Sequence, residues 1–405
     1  MEIVIIGGGF AGTSALEMIM KTDSKAKVIL ISKEKFYSPA SLFAYVEGKV
    51  KKEDLFLRPS EYYTQQNVEA IFGRKAIRLD AANKRVYLDD GNEIGYDKLL
   101  IATGASPVMP RIPGIGNRGV LKFATLADAE ELLTNIGRKT VIVGAGPNGL
   151  ELAAALINRG VTVTVVEMMP RVAPKAFGEE VAQLIVQHLT QNGVEVRLNE
   201  RLIEICGDPV QAVRTDKADI PCDSVVMTVG LKPNVDFIDE KAMKLGESGG
   251  IQVDRYLKAA EDIYAAGDCA EGFDFLGRRG LSLVIPTAIQ MGRTAALNMM
   301  GTSLEYPGSI TVNVITLFGL TFASVGVPDG ETIKKQVGNK LQIYIRQDNR
   351  LVGAQFVGAA PEAALVASAI RRGELFDSMD SLRKSLFQPR VFPSGRRSNE
   401  KEQPR

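Results

Sequence analysis

The chain has 405 residues, 45% hydrophobic and 24% charged, which is ordinary globular usage with room for two or three domains around a large buried core. Its 49 Lys and Arg nearly cancel its 48 Asp and Glu, so no overall field favours nucleic acid or an anionic membrane. Cys206, Cys222 and Cys269 form no CxxC pair, and His188 is the sole histidine, so the reading is no metal site and a reducing, cytoplasmic compartment.

In chain order, the apolar run at 2–6 reads as a strand leading directly from Met1, with no signal peptide ahead of it. GGGFAG at 7–12 follows as a glycine turn, then a helix to about Lys21 and a second strand at 27–31. Such continuous apolar runs suit strands of a parallel sheet buried on both faces, and none approaches the ~20 residues of a membrane span. Residues 76–79 and 85–88 alternate as strands, and DDGN at 89–92 supplies a turn after them. Prolines 107, 110 and 113 with Gly114 and Gly116 then make a connector, placing a boundary near residue 117.

The same order of elements now repeats: a strand at 140–143, GAGPNG at 144–149, a helix to about Arg159 and a strand at 161–166. Residues 179–191 read as a helix that carries His188 as a structural residue. A connector at 247–250 precedes a strand at 262–266, so the second unit is inserted into the first. After Pro307 the pattern changes to alternating strands, including 340–345 and 351–357, and a helix at 361–372. The fold class is therefore α/β: two Rossmann-like dinucleotide-binding domains, 1–117 with 247–306 and the inserted 118–246, plus a C-terminal α+β domain at 307–392. Residues 393–405 are polar and aperiodic and are expected to be disordered.

A GxGxxG loop permits a tight turn, lets a pyrophosphate approach backbone N–H groups and aims a helix N-terminus at its charge. Gly7, Gly9 and Gly12 have this spacing, as do Gly144, Gly146 and Gly149, with Phe10, Ala11, Pro147 and Asn148 opening the two helices. The bland alternative is glycine used only for packing. An acid about 20 residues beyond the last glycine should accept hydrogen bonds from the adenosine ribose. Glu167 stands there in the second unit and, as a carboxylate, repels a 2′-phosphate, favouring NADH over NADPH, although Arg171 is near. In the first unit the position is Ser32, followed by Lys33 and Glu34, so the ribose contact falls to Ser32 or Glu34.

With these loops, LLIATGASP at 99–107, DIYAAGDCA at 262–270 and VGLKPN at 229–234, the sequence resembles the pyridine nucleotide-disulfide oxidoreductase superfamily, two-dinucleotide flavoproteins that include NADH oxidases, ferredoxin and rubredoxin reductases and nitrite reductase flavoprotein domains. The resemblance covers nearly the whole chain. It implies that residues 1–117 and 247–306 bind FAD and that 118–246 bind NAD. It implies FAD contacts from Ala76, Ala102, Thr103, Gly104, Gly267 and Asp268, the last to the ribityl chain, and places Gly230 in the segment closing the NAD domain. Glutathione- and lipoamide-type members carry a CxxxxC pair and a C-terminal histidine, and this chain has neither. Where coenzyme A disulfide reductases and NADH oxidases carry a single cysteine beside the flavin, the corresponding residue here is Ser41, which cannot cycle through thiolate and sulfenic states.

Hydride transfer between nicotinamide and flavin needs alignment and charge stabilisation more than a general acid. A helix near Pro286 could aim the N–H groups of Thr287 and Ala288 at the pyrimidine edge of the flavin, or it could merely pack. Glu151 lies, by the resemblance, near the nicotinamide carboxamide, and an acid in a first helical turn is also favoured by the dipole alone. The leading reading is an NADH:acceptor oxidoreductase feeding a one-electron carrier protein or an iron–sulfur partner subunit, with residues 307–392 for self-association or docking. The alternatives are an NADH oxidase reducing oxygen and a flavin-binding assembly subunit with incidental turnover.

Overall fold

The computed structural model describes residues 1–376 and Ser378, apart from Asn67, Glu240, Asn339 and Pro361. The segment expected to be disordered, 393–405, lies outside the described residues, as does the end of the expected third domain.

The chain runs β1 (Glu2–Ile6), α1 (Phe10–Thr22), β2 (Lys27–Ser32), α2 (Ser41–Glu47), β3 (Val68–Phe72) and β4 (Lys98–Ile101). A second unit follows as β5 (Val120–Lys122), α3 (Leu126–Asn135), β6 (Lys139–Val143), α4 (Pro147–Asn158), β7 (Thr162–Val166), α5 (Glu179–Gln191), β8 (Glu195–Arg197) and β9 (Ser224–Met227). The chain then returns through β10 (Lys258–Ala260), β11 (Ile263–Ala265) and α6 (Ile285–Met299). It ends with β12 (Val312–Leu317), β13 (Leu320–Gly326), β14 (Glu331–Val337), β15 (Lys340–Gln347), β16 (Arg350–Val357) and α7 (Ala363–Arg372).

The first sheet has the order β10-β11-β4-β1-β2-β3 and the second β8-β7-β6-β9-β5. Each puts its glycine-loop strand beside two parallel neighbours, β1 between β2 and β4 and β6 between β7 and β9. Ile3, Val4, Ile5, Leu99, Leu100 and Ile101 are wholly buried, as strands covered on both faces require. Strands β5 to β9 interpose between β4 and β11, so the second unit is inserted in the first, and a short ribbon of Leu231–Pro233 against Ala105–Pro107 marks the return.

The third sheet, β12-β13-β16-β15-β14, is antiparallel throughout, with α7 on β13 and β16. Its other face meets the second unit: Gly178 N–H donates to Gln355 Oε1, Lys334 pairs with Glu180, and His188 Nε2 lies 2.9 Å from Leu317 O. His188 is thus held by a backbone carbonyl and two phenylalanine rings, a structural setting. No helix among the described residues is long and apolar enough to cross a membrane.

Candidate functional site

The two glycine turns share a physical logic. Gly7 has φ +112° and a Cβ there would sit 2.0 Å from Ala102 O; Gly144 has φ +107° and its Cβ would lie 2.5 Å from Thr228 O. Each last glycine meets the turn itself, with Gly12 1.9 Å from Gly7 O and Gly149 2.1 Å from Gly144 O. These four glycines let strand, turn and helix pack. The middle ones differ. Gly9 and Gly146 have φ −78° and −71°, which any residue adopts, and a Cβ on either would meet no atom within 4 Å. Neither backbone nor packing asks for glycine there, whereas a phosphate drawn against the helix N-terminus does. The residues therefore fit two dinucleotides.

A cleft of about 520 Å³ runs along the first turn, bordered by Gly7, Gly9, Phe10, Ser32, Lys33, Glu34, Ala76, Ala102, Thr103 and Gly104 of the expected set. Ala11 and Gly12 lie beneath it in α1. Gly267 has φ +77°, and a Cβ added to it would lie 2.9 Å from Ala11 Cβ and 3.6 Å from Ala288 Cβ. The Asp268 segment is thus wedged between the starts of α1 and α6, helices that approach so closely that a Cβ on Gly292 would touch Ala11 O. Asp268 has no hydrogen-bond donor among the described residues, and burial alone pushes its carboxyl up to about 6. An unpartnered carboxyl beside two helix N-termini suits a ligand rich in hydroxyls, as the ribityl chain of FAD is.

Helix α6 begins at Ile285, one residue earlier than the sequence suggested, so Pro286 stands second rather than first. This changes the donor set. The Ala288 N–H already donates to Val284 O at 3.1 Å, so of the two expected donors the Thr287 N–H, in the turn without intrahelical acceptors, is the one left. Thr287 is buried, and its hydroxyl accepts from Ser282 Oγ at 3.0 Å.

The acids expected at the ribose positions are held differently in the two units. Glu167 Oε2 accepts from Ala145 N–H and Oε1 from Met169 N–H, both at 2.8 Å, so the carboxylate is fixed against its own glycine turn. Arg171 is engaged elsewhere, on Asp329 at 2.8 Å and Pro174 O at 3.1 Å. In the first unit Ser32 bridges the Gly8 N–H and Glu34 O, at 3.1 and 2.7 Å. Its one proton is spent inside the protein, so Ser32 shapes the turn and the free carboxylate oxygen of Glu34 is the better ribose acceptor.

Thr103 and Gly104 are tied to the return ribbon by Asn234, whose Nδ2 donates to Thr103 O, whose N–H donates to Gly104 O and whose backbone O accepts from Thr103 Oγ1. Gly230, at φ +129°, ends the crossover by accepting from Val108 N–H. Sequence reasoning named the segment of Asn234 without its role and missed Tyr37, which borders the cleft and donates to Glu34 Oε2 at 2.8 Å. Tyr37 sits in an aperiodic stretch between β2 and α2, where no pattern marks it.

The first turn of α4 carries no acid: the helix starts at Pro147, so Glu151 falls in the second turn, past the position where the dipole alone would favour it. Glu151 is half-buried; burial pushes its carboxyl up to about 7, and the backbone N–H of Thr316 in β12 offsets part of that. Ser41 opens α2, a helix packed on α4, and makes no side-chain hydrogen bond among the described residues. Cys269 is wholly buried, its thiol raised by burial and directed at Ile101 O and Ala266 O. Among the described residues no three His, Cys, Asp or Glu side chains gather to hold a metal ion.

Two glycine turns, each followed by a candidate acid, and an orphan carboxyl beside the first of them fit a protein of the two-dinucleotide flavoprotein class. The family model for pyridine nucleotide-disulphide oxidoreductases matches residues 1–292. An NADH oxidase of Methanocaldococcus jannaschii is 30% identical over 88% of this chain and 88% of its own. The NADH-dependent phenylglyoxylate dehydrogenase subunit epsilon of Aromatoleum evansii is 30% identical over 92% of this chain and 91% of its own. Among solved structures, an NAD-dependent persulfide reductase from A. fulgidus superposes with a TM-score of 0.85 and 31% identity, covering 93% of this chain and 77% of that one. The chain belongs to the pyridine nucleotide-disulphide oxidoreductase family and is an FAD-dependent NAD(P)H oxidoreductase.

Proposed function

We propose that this enzyme takes electrons from NADH and passes them, without a protein thiol relay, to a one-electron carrier protein or an iron–sulfur partner subunit. The observation that carries the reading is the state of the thiols. Cys269 follows Asp268 directly yet is wholly buried with a raised pKa, and Ser41 stands where relatives of the resembling type use a cysteine. Neither supplies a thiolate. FAD, when bound, supplies the chemistry that accepts an electron pair from NADH and releases it one electron at a time.

The residues divide the remaining work. Loop 7–12, residues 102–104 and Asp268 bind and orient the FAD, and the Thr287 N–H opposes negative charge at its pyrimidine edge. Loop 144–149 and Glu167 hold NADH in preference to NADPH, because the carboxylate is pinned and Arg171 is occupied by Asp329. Glu151, its carboxyl raised by burial to about 7, keeps a protonated form at neutrality that can donate to the nicotinamide carboxamide without repelling the dinucleotide. Residues 307–392 form the docking or self-association domain, with the FAD-binding domain at 1–117 and 247–306 and the NAD-binding domain at 118–246. Three unpaired thiols suit a cytoplasmic setting.

The kinship with an NADH-dependent dehydrogenase subunit favours a protein acceptor, and the kinship with an NADH oxidase keeps oxygen as the second reading. Anaerobic mixing with NADH followed by ferredoxin, rubredoxin, quinone or oxygen separates them. Reoxidation fastest with an iron–sulfur carrier supports the proposal; reoxidation fastest with oxygen replaces it with the oxidase reading.

A further inference from the structure

We infer that Tyr37 is a positioning residue: its hydroxyl holds Glu34 ready for the FAD ribose and ties that contact to the second nucleotide unit. The inference rests on the reading of Glu34 as the ribose acid of the first unit.

Tyr37 is buried, with 8% of its surface exposed, and it borders the FAD cleft. Its hydroxyl has two partners. It donates to Glu34 Oε2 at 2.8 Å and accepts the backbone N–H of Leu126 at 2.8 Å. Leu126 opens α3 of the inserted unit, where Thr125 Oγ1 takes the Asp128 N–H and Asp128 takes the N–H groups of Ala124 and Thr125. The capping box therefore leaves the Leu126 N–H for Tyr37.

The result is a directed chain from helix N–H to tyrosine O–H to carboxylate, aligned with the positive end of the helix dipole. Because the Leu126 N–H fills an acceptor site of the hydroxyl, the tyrosine proton is steered toward Glu34. Burial, then the neighbouring Glu34 charge, raises the phenol far above its ordinary range, so it stays a donor. Glu34 is gripped at both ends: its backbone O by Ser32, which also takes the Gly8 N–H, and its Oε2 by Tyr37. Its Oε1 remains for a ribose hydroxyl. A carboxylate two residues past the strand end can in this way replace one at the strand end.

The test is a thermodynamic cycle on apoprotein, with FAD binding read by flavin fluorescence and stability of the flavin-free protein by thermal unfolding. The expected result is a FAD Kd about tenfold weaker in Tyr37→Phe. Glu34→Ala should be weakened at least as much, and the double variant no further than Glu34→Ala alone. Wild-type affinity in Tyr37→Phe with weak binding in Glu34→Ala would overturn the role of Tyr37 while leaving Glu34 in place. Wild-type affinity in Glu34→Ala would overturn the ribose reading beneath it. Additive losses, or a Tyr37→Phe loss that persists in the Glu34→Ala background alongside a lowered unfolding temperature, would show a purely structural tyrosine and overturn the inference as well.

Discussion

The two nucleotide units build the same turn and finish it differently. Their outer glycines are forced alike, by close backbone approaches of 1.9 to 2.5 Å for an added Cβ, and their middle glycines face open space alike. The acids diverge: Glu167 is pinned by two backbone N–H groups at the strand end, whereas Ser32 takes that place in the first unit and Glu34 is brought round by Ser32 and Tyr37. Backbone geometry constrains the turn tightly, while in the proposed reading the ribose asks only that a carboxylate arrive, from whichever position can deliver it.

The largest effects should separate glycines that serve the fold from those that serve the ligand. Gly7→Ala places a Cβ against Ala102 O and should prevent a stable apoprotein. Gly9→Val meets nothing in the protein, so apoprotein stability should fall by only about 1 kcal/mol, the cost of a poorer helix cap. Its FAD affinity should nevertheless drop roughly a hundredfold, as bulk is forced against a packed ligand. Gly146→Val should do the same to the KM for NADH with FAD retained. Denaturation curves and FAD titration check both, and a Gly9→Val protein with normal FAD affinity would remove the phosphate role of the middle glycine.

The pH dependence of apoprotein stability comes next. Asp268 and Glu151 have folded pKa values raised to about 6 and about 7. For acids raised in this way the folded state holds the proton more tightly, so their contribution is full below the unfolded values near 4 and is lost as pH rises through the folded ones. Denaturant unfolding of the apoprotein between pH 4 and 7 should show falling stability, with Asp268 accounting for up to about 3 kcal/mol. Asp268→Asn should remove that share, and bound FAD should reduce it by donating ribityl hydroxyls to the carboxylate. A flat profile would show that Asp268 is solvated rather than waiting for a ligand.

Most of this architecture was legible in the sequence because it repeats. The paired turns, the strands at 2–6, 140–143 and 162–166 and the insertion all follow from apolar runs bracketing glycines, patterns that local sterics impose. Short α2 and α3 passed unnoticed because seven and ten residues give little periodicity, and the ribbon at Leu202–Pro221 alternates irregularly. At the site, Glu167 and Asp268 were legible from motif position. The long-range contacts around them were not, since Tyr37 on Leu126, Asn234 on Thr103 and Asp329 on Arg171 act across distances of up to 158 residues in sequence that no local pattern records. The one-residue shift at α6 had a chemical consequence, removing Ala288 from the expected donor pair and leaving Thr287.

Smaller effects should test cofactor choice in the second unit. Glu167→Ala loses a charge-assisted contact, and the NADH over NADPH preference in kcat/KM should narrow roughly tenfold. Asp329→Ala releases Arg171 and should raise kcat/KM for NADPH by only about two- to threefold, because the pair it breaks is mostly exposed on the Asp329 side. A larger gain from Asp329→Ala than from Glu167→Ala would make the arginine tether, and not the carboxylate, the seat of selectivity.

The most direct measurement of the central claim is an anaerobic NADH titration of the FAD-loaded enzyme, in wild type and in a variant with Cys206, Cys222 and Cys269 replaced by Ala. A flavin that works without a thiol relay stores one electron pair, so flavin absorbance should bleach fully at about one NADH per FAD in both proteins, with equal rates. An endpoint near two NADH per FAD in the wild type that falls to about one in the variant, or a variant that keeps its FAD and no longer bleaches, would place a cysteine in the path and contradict the account.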